Sequence, residues 1–181
     1  MTAKDIDVLV VGELNADLIL LGDVTPEFGQ KEKLIDDASL TLGSSSGIFA
    51  CGAARLGLRV AFVGKIGDDE FGRFVRGQLE ARGVDTAGLV VDSTVKTGLS
   101  VILSRGSNRA ILTHLGSIAA LRYSEVSRDL VARARHMHLG GSFACGGSPT
   151  CGCERPVAGC GVRIRHSENR RASVKSCLSF H

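Results

Sequence analysis

RVAFVGKIGDDEFGRFVRGQLEARGV, residues 59–84, is an apolar run that gives way to an amphipathic helix. Arg59–Gly64 is apolar without alternation, as expected of a strand buried on both faces of a parallel sheet. From Asp68 to Arg82 the period changes. Phe71, Phe74, Val75 and Leu79 recur at helical spacing and define one inward face. Asp68 or Asp69 stands where a carboxylate caps the free N–H groups of the first turn, and Gly83 ends the helix. Two adjacent acids could also be paired for chemistry, but at a helix start the favourable dipole accounts for them.

Working outward, the same grammar recurs. Asp7–Gly12 (DVLVVG) is a second short apolar run and reads as another buried strand. Asn15–Gly22 continues extended, with Ala16, Leu18 and Leu20 alternating against Asn15, Asp17 and Ile19. Residues 28–42 are mixed and polar and read as one or two exposed strands. Gly43-Ser44-Ser45-Ser46-Gly47 breaks the pattern. Ile48–Leu56 then forms a small-residue helix closed by Gly57. Strand, helix and strand make a right-handed parallel crossover with the exposed strands as an excursion. Downstream, Leu89–Val91 is a short strand. Leu99–Leu103 and Ala110–Leu115 form a hairpin across Ser104–Asn108. Ser124–Ala134 reads as a helix with Val126, Leu130 and Val131 inward, and His136–Leu139 as a further strand. Strands alternating with helices define an α/β layered fold.

Composition narrows the class. The 181 residues are 44% hydrophobic and 23% charged, ordinary for a globular protein large enough for one core. No apolar run reaches the roughly 18 residues of a membrane span. The first residues lack the apolar stretch of a secretion signal, so a cytoplasmic location is the default expectation. The net charge of +3 is unevenly placed: residues 144–181 carry six Lys/Arg against two Glu, leaving 1–143 at −1. A nucleic-acid partner needs a basic face on a fold, and the body has none. Five of the six cysteines, Cys145, Cys151, Cys153, Cys160 and Cys177, also lie in that last segment. Without a secretion signal they do not argue for disulfides, and their spacing matches no paired zinc pattern.

From about Ala144 no period of 2 or 3.6 is sustained, so 144–181 is expected to be an irregular basic tail. Arg170, Arg171 and Lys175 read there as solvated charge. The change is what a shifted reading frame produces from GC-rich codons; the other two frames of the coding DNA after about codon 140 would test that.

Two motifs have functional readings. Gly43–Gly47 leads into a helix whose free N–H groups can bind oxygen-rich groups; it also reads as a plain turn, which spacing alone favours. It is not a phosphate-binding P-loop, because no Gly-Lys-Ser/Thr follows. Asn15 and Asp17 lie two apart on an extended segment, so both face one way. Amide and carboxylate together donate and accept, which suits a polyol; turn capping is the other reading. Their place beyond the carboxyl end of a parallel strand favours the ligand. His136 and His138 are only a pair, which does not make a metal site.

These blocks together resemble the ribokinase-like (PfkB-type) sugar kinase family. Val10–Asp17 is similar to its opening strand, and Gly43–Gly57 to its first signature. Val63–Gly72 matches its VGxxGDDxFG stretch, Arg82–Thr86 the segment after the next helix, and Thr97–Leu121 a second pair of lid strands. The likeness covers about residues 5–143. It implies an ATP-dependent carbohydrate kinase that uses ATP and Mg2+. The implied fold is a doubly wound α/β domain, here incomplete, with a small β-sheet lid over the sugar, built from residues about 28–42 and 97–115. It further implies that Asn15 and Asp17 hold sugar hydroxyls beside a wall of Gly43, Ser44 and Ser45. A homodimer through the lid is implied by several relatives, and neither nucleic acid nor membrane is an expected partner. The family usually has a second glycine where this chain has Ser44, and a substrate-contacting Asn where it has Ile48. Its later Gly-Ala-Gly-Asp turn, which carries the catalytic base, does not occur in this sequence. The expectation is therefore a chain without base or ATP site, with a sugar-binding fragment as one alternative and a zinc- or nucleic-acid-binding tail as another. A sheet ending at His136–Leu139 would also expose an open edge and favour aggregation.

Overall fold

The computed structural model describes residues 4–140 and the backbone of Ser176–Ser179. A five-stranded sheet is built from β1 (Ile6–Val11), β4 (Val60–Gly67), β5 (Asp85–Asp92), β8 (Ala134–Leu139) and β9 (Ser176–Ser179). Its order is β5-β4-β1-β8-β9, parallel except for the antiparallel β9. The four residues of β9 belong to the segment expected to be irregular. The readings of Cys145, Cys151, Cys153, Cys160, Arg170, Arg171 and Lys175 concern residues outside those described. The edge at His136–Leu139 is not open as expected. β9 pairs with all four of those residues and satisfies backbone groups that an edge strand leaves bare.

A second sheet holds β2 (Asn15–Leu21), β3 (Asp37–Leu42), β6 (Gly98–Arg105) and β7 (Asn108–His114) in the order β3-β2-β6-β7. Only β2 and β6 are parallel. The exposed strands expected over 28–42 reduce to β3 alone. Gly29 and Gln30 both have positive φ, which turns the chain there, and Phe28 and Leu34 lie in solvent with no strand to pair.

Helices α1 (Ser45–Arg55) and α2 (Glu70–Glu80) cover one face of the five-stranded sheet. Between these helices and the sheet, Val10, Phe62 and Ile66 form one apolar cluster with Val75 and Leu79 of α2. On the other face Leu9, Val11, Ala61, Val63 and Leu121 pack with Leu130 of α3 (Arg128–Arg133). The helix expected over Ser124–Ala134 is shorter than its pattern. Tyr123–Glu125 is a separate 3-10 turn, Ser127 is extended and caps α3 by accepting from Leu130 N–H, and β8 begins already at Ala134. A serine that bonds the backbone locally favours a helix start over a helix interior.

The lid sheet is fastened to the main sheet at one corner. Asp69 caps α2 by accepting from Gly72 N–H at 2.8 Å and also accepts from Thr97 N–H at 2.9 Å. Thr97 Oγ1 in turn accepts from Gly67 N–H at 2.9 Å. Thr97 is the residue before β6, so the acid that starts a helix also fixes the root of a lid strand. Asp68 remains on the surface, paired with Arg73.

Candidate functional site

β1 ends at Val11 and the chain crosses into the second sheet at Asn15, so Gly12–Leu14 spans the two sheets. Beyond the carboxyl ends of parallel strands, at such a crossing, open α/β sheets form crevices for ligands. Asn15 is buried and Asp17 half-buried on the same face of β2. Asn15 Nδ2 donates to Asp17 Oδ1 at 2.6 Å and to Ser100 Oγ at 3.4 Å. Ser100 lies opposite Asp17 on β6 and exchanges a hydrogen bond with Thr113 of β7 at 3.1 Å. Burial pushes the Asp17 carboxyl above its ordinary pKa, against hydrogen bonds from Asn15 and Ser100 that pull it down. Desolvation wins, as expected for a carboxylate with few donors.

Gly43 closes the other side of this pair. Its amide donates to Asn15 O at 2.9 Å. A Cβ at Gly43 would overlap Asn15 Nδ2 and Asp17 Oδ1. Only glycine lets the backbone come this close to both side chains. Ser44 follows with φ 72 and ψ 132, a backbone region that suits glycine and strains other residues. That geometry is the physical content of the paired glycines noted above. Here hydrogen bonds hold the strained serine: Ser44 Oγ donates to Glu13 O at 2.6 Å and accepts from Gly47 N–H at 3.0 Å, capping α1. Ile48, at the position of the family's asparagine, projects its apolar side chain into solvent.

Three of the five expected residues thus lie in direct contact: Asn15, Asp17 and Gly43. Ser44 and Ser45 are one step away, and their hydroxyls turn toward Glu13. Sequence reasoning passed over Glu13, Ser100 and Thr113. Ser100 and Thr113 become neighbours of Asp17 only through strand register, which the sequence does not display. Glu13 carried a usable signal, an acid directly after the strand-ending Gly12. The arrangement offers a carboxylate acceptor, an amide and hydroxyls around a backbone wall, a set that binds hydroxyl groups. Of the histidine pair on β8, His138 is buried and stacks on Phe49 at 4.0 Å between ring centres. Among the described residues no group of three or more His, Cys, Asp or Glu is placed to hold a metal ion.

Comparison with known proteins places the chain, not the site, among known families. Residues 5–155 match the family model described as pfkB family carbohydrate kinase. A 5-dehydro-2-deoxygluconokinase of Bacillus subtilis is 34% identical over 144 residues, covering 77% of this chain and 42% of that protein. The structure of a ribokinase from Cryptococcus neoformans in complex with ADP superposes with a TM-score of 0.59 at 28% identity, covering 73% of this chain and 41% of that one. An uncharacterized sugar kinase from Pyrococcus horikoshii in complex with ATP gives a TM-score of 0.62 at 25% identity, covering 74% and 42%. The chain spans less than half the length of the relatives it matches.

Proposed function

The chain belongs to the pfkB family of carbohydrate kinases, and on that premise we propose that these 181 residues form the acceptor-sugar side of an ATP-dependent carbohydrate kinase. They bind sugar hydroxyls through Asn15, Asp17 and the Gly43–Ser45 backbone, and do not transfer phosphate by themselves. The observation that supports this most is the Asn15–Asp17 pair, buried at Asn15 and half-buried at Asp17, pressed against Gly43 at the crossing between the sheets. A solvent-exposed turn cap would have no need of a glycine that admits both side chains at once.

The family uses ATP, and the Pyrococcus horikoshii relative is an ATP complex. Phosphoryl transfer needs a base for the attacking hydroxyl and a preorganised cradle for the charge that develops. The sequence has no Gly-Ala-Gly-Asp turn, and residues 144–181 contain no Asp at all. Among the described residues no group of three or more His, Cys, Asp or Glu is placed to hold a metal ion. Magnesium in nucleotide sites is held by one or two carboxylates together with the phosphates, and no residue is assigned here to it or to the transfer step. One lost oxyanion donor alone costs about 3 kcal/mol in the barrier, so absence of the whole device should leave no turnover at kinase rates.

Two further elements complete the proposal. Leu40, Ile111 and Leu112 are exposed on the lid sheet, and apolar surface on a sheet favours pairing with a second copy, so the lid is the expected homodimer contact. A cytoplasmic setting follows from use of ATP; no helix among the described residues is long and apolar enough to cross a membrane. A coupled ATP-consumption assay over a sugar panel tests the reading together with ligand-observed NMR on the same samples. Sugar binding without turnover is the expected result. Turnover at ordinary kinase rates would overturn the assignment, and so would the absence of binding to every sugar.

A further inference from the structure

Strand register arranges the lid face that carries Asp17 in three rows. The first, nearest the crossing, is Thr41, Asp17, Ser100 and Thr113 across β3, β2, β6 and β7. The second is Ser39, Ile19, Ile102 and Ile111, and the third is Asp37, Leu21, Ser104 and Arg109. Successive rows are two residues apart, about 7 Å along the strands. Outward from the site the face changes from hydroxyls around one acid, through isoleucines, to a row with an acid at one edge and an arginine at the other.

Arg109 is exposed, and among the described residues no carboxylate pairs with it. The neighbouring cations are engaged: Lys33 contacts Asp23 at 2.6 Å, Lys31 contacts Glu27 at 2.8 Å, and Arg105 lies 3.7 Å from Asp23. Asp37 shares the row of Arg109 but stands at the far edge of the sheet, three strand spacings or about 14 Å away.

Charge decides how an acceptor can lie on this face. Glu13 already fills the start of α1, where an anionic group would otherwise dock: Ser46 Oγ donates to it at 3.0 Å, Ser45 Oγ at 3.2 Å, and Ser44 Oγ lies at 3.4 Å. Asp17 adds a second carboxylate. An acidic group on the acceptor is therefore turned away from the crossing, and Asp37 turns it away from the β3 edge. The β7 edge carries the cation, and the long arginine side chain can lean along its strand toward the isoleucine row. One guanidinium matches one negative charge, in a fork that fits a carboxylate. A phosphate carries about two charges, and this face has no second cation for the other. Between the two ends the isoleucines meet carbon, because a hydroxyl pressed against them would lose its hydrogen-bond partners.

We propose that Arg109 is a specificity-determining residue of the acceptor site: it binds the carboxylate of a sugar acid whose hydroxyls are held by Asn15 and Asp17. The inference rests on the sugar-site reading and goes further, since that reading is silent on the charge of the acceptor.

The test titrates the full chain with gluconate, its uncharged counterpart sorbitol, and fructose 6-phosphate by calorimetry and ligand-observed NMR at low salt. Gluconate should bind about fivefold more tightly than sorbitol, the upper range for an exposed ion pair. Arg109→Gln should bring gluconate down to the affinity of sorbitol or below, and leave sorbitol binding unchanged. Arg105→Gln, which alters an arginine already held near Asp23, should leave the preference intact. Salt at about 0.5 M should weaken gluconate and not sorbitol. Equal affinity for gluconate and sorbitol in the unaltered chain would overturn the inference while leaving the sugar site intact, and so would a preference untouched by Arg109→Gln. Fructose 6-phosphate binding as tightly as gluconate would overturn the assignment to a carboxylate. If none of the three probes binds, the sugar-site reading falls and this inference with it.

Discussion

Replacing Asp69 by alanine removes two backbone contacts in one step. The first is the α2 cap, the 2.8 Å acceptance from Gly72 N–H; losing such a cap costs about 1 kcal/mol. The second is the 2.9 Å acceptance from Thr97 N–H. Thr97 is 1% exposed, so its amide cannot turn to water, and an orphaned buried donor costs about 1–3 kcal/mol. Burial alone would raise the Asp69 carboxyl, but the bonds from Thr97 and Gly72 more than offset it and hold its pKa below the ordinary value. The sum is about 3 kcal/mol for Asp69→Ala. Asp68→Ala removes only a surface pair with Arg73, each partner more than half exposed, and should cost under about 0.5 kcal/mol. With a urea slope of about 2 kcal/mol/M, the first variant should unfold roughly 1.5 M earlier and the second within about 0.3 M of the parent. Equal shifts for the two variants would refute the assignment of the lid root to Asp69, as would an Asp69→Ala shift under about 0.3 M.

Other consequences follow from the same contacts. Ser44→Ala keeps the strained backbone but loses the bonds to Glu13 and Gly47, so a loss of about 2 kcal/mol is expected in denaturant titration; Ser44→Gly loses the same bonds but relieves the strain and should stay within about 0.5 kcal/mol of the parent. Lys65→Met leaves Asp92 and Glu125 without their buried cation and should destabilise by about 3 kcal/mol, again read from the urea midpoint. Acid should weaken the fold in a defined window. Thr94, then Lys65, hold Asp92 down at about 2 from an ordinary 3.8, and Lys65 lowers Glu125 from 4.5. Both folded values lie below the unfolded ones, so their stabilisation is complete above the unfolded values and lost as pH falls through the folded ones. The urea midpoint should therefore drop between about pH 4.5 and pH 2, and drop less in Lys65→Met. Asp17 works with the opposite sign, because its raised pKa means that protonation relieves a burial cost and offsets part of the fall.

How much of this was legible in the sequence depends on the kind of contact. Phe71, Phe74, Val75 and Leu79 declared α2 and its inward face, because helical periodicity is local and core burial enforces it. Asn15, Asp17 and Gly43 were nameable because their spacing and residue types are chemical statements in themselves. What stayed hidden came from pairing at a distance. Nothing near Ser100 in sequence says that it stands opposite Asp17, and nothing between Phe28 and Asp37 says that those residues lack a partner strand. Ser124–Ala134 misled for a different reason: its apolar spacing fits a helix, but Ser127 competes for the backbone and starts a shorter one. Choosing between Asp68 and Asp69 likewise required knowing that Thr97 lies within reach of one of them. Glu13 was in plain view beside Gly12, but its meaning appears only when three serines from the next helix close around it.

The claim that carries the account is that Asn15, Asp17 and Gly43 together form a sugar-hydroxyl site. Nitrogen-15 NMR of the full chain during titration with fructose and ribose tests it most directly. The account predicts saturable shifts of the Asn15 side-chain amide and the Gly43 backbone amide, abolished in Gly43→Ala while the spectrum elsewhere is preserved. Shifts confined to other residues, or an unchanged titration in Gly43→Ala, would contradict it.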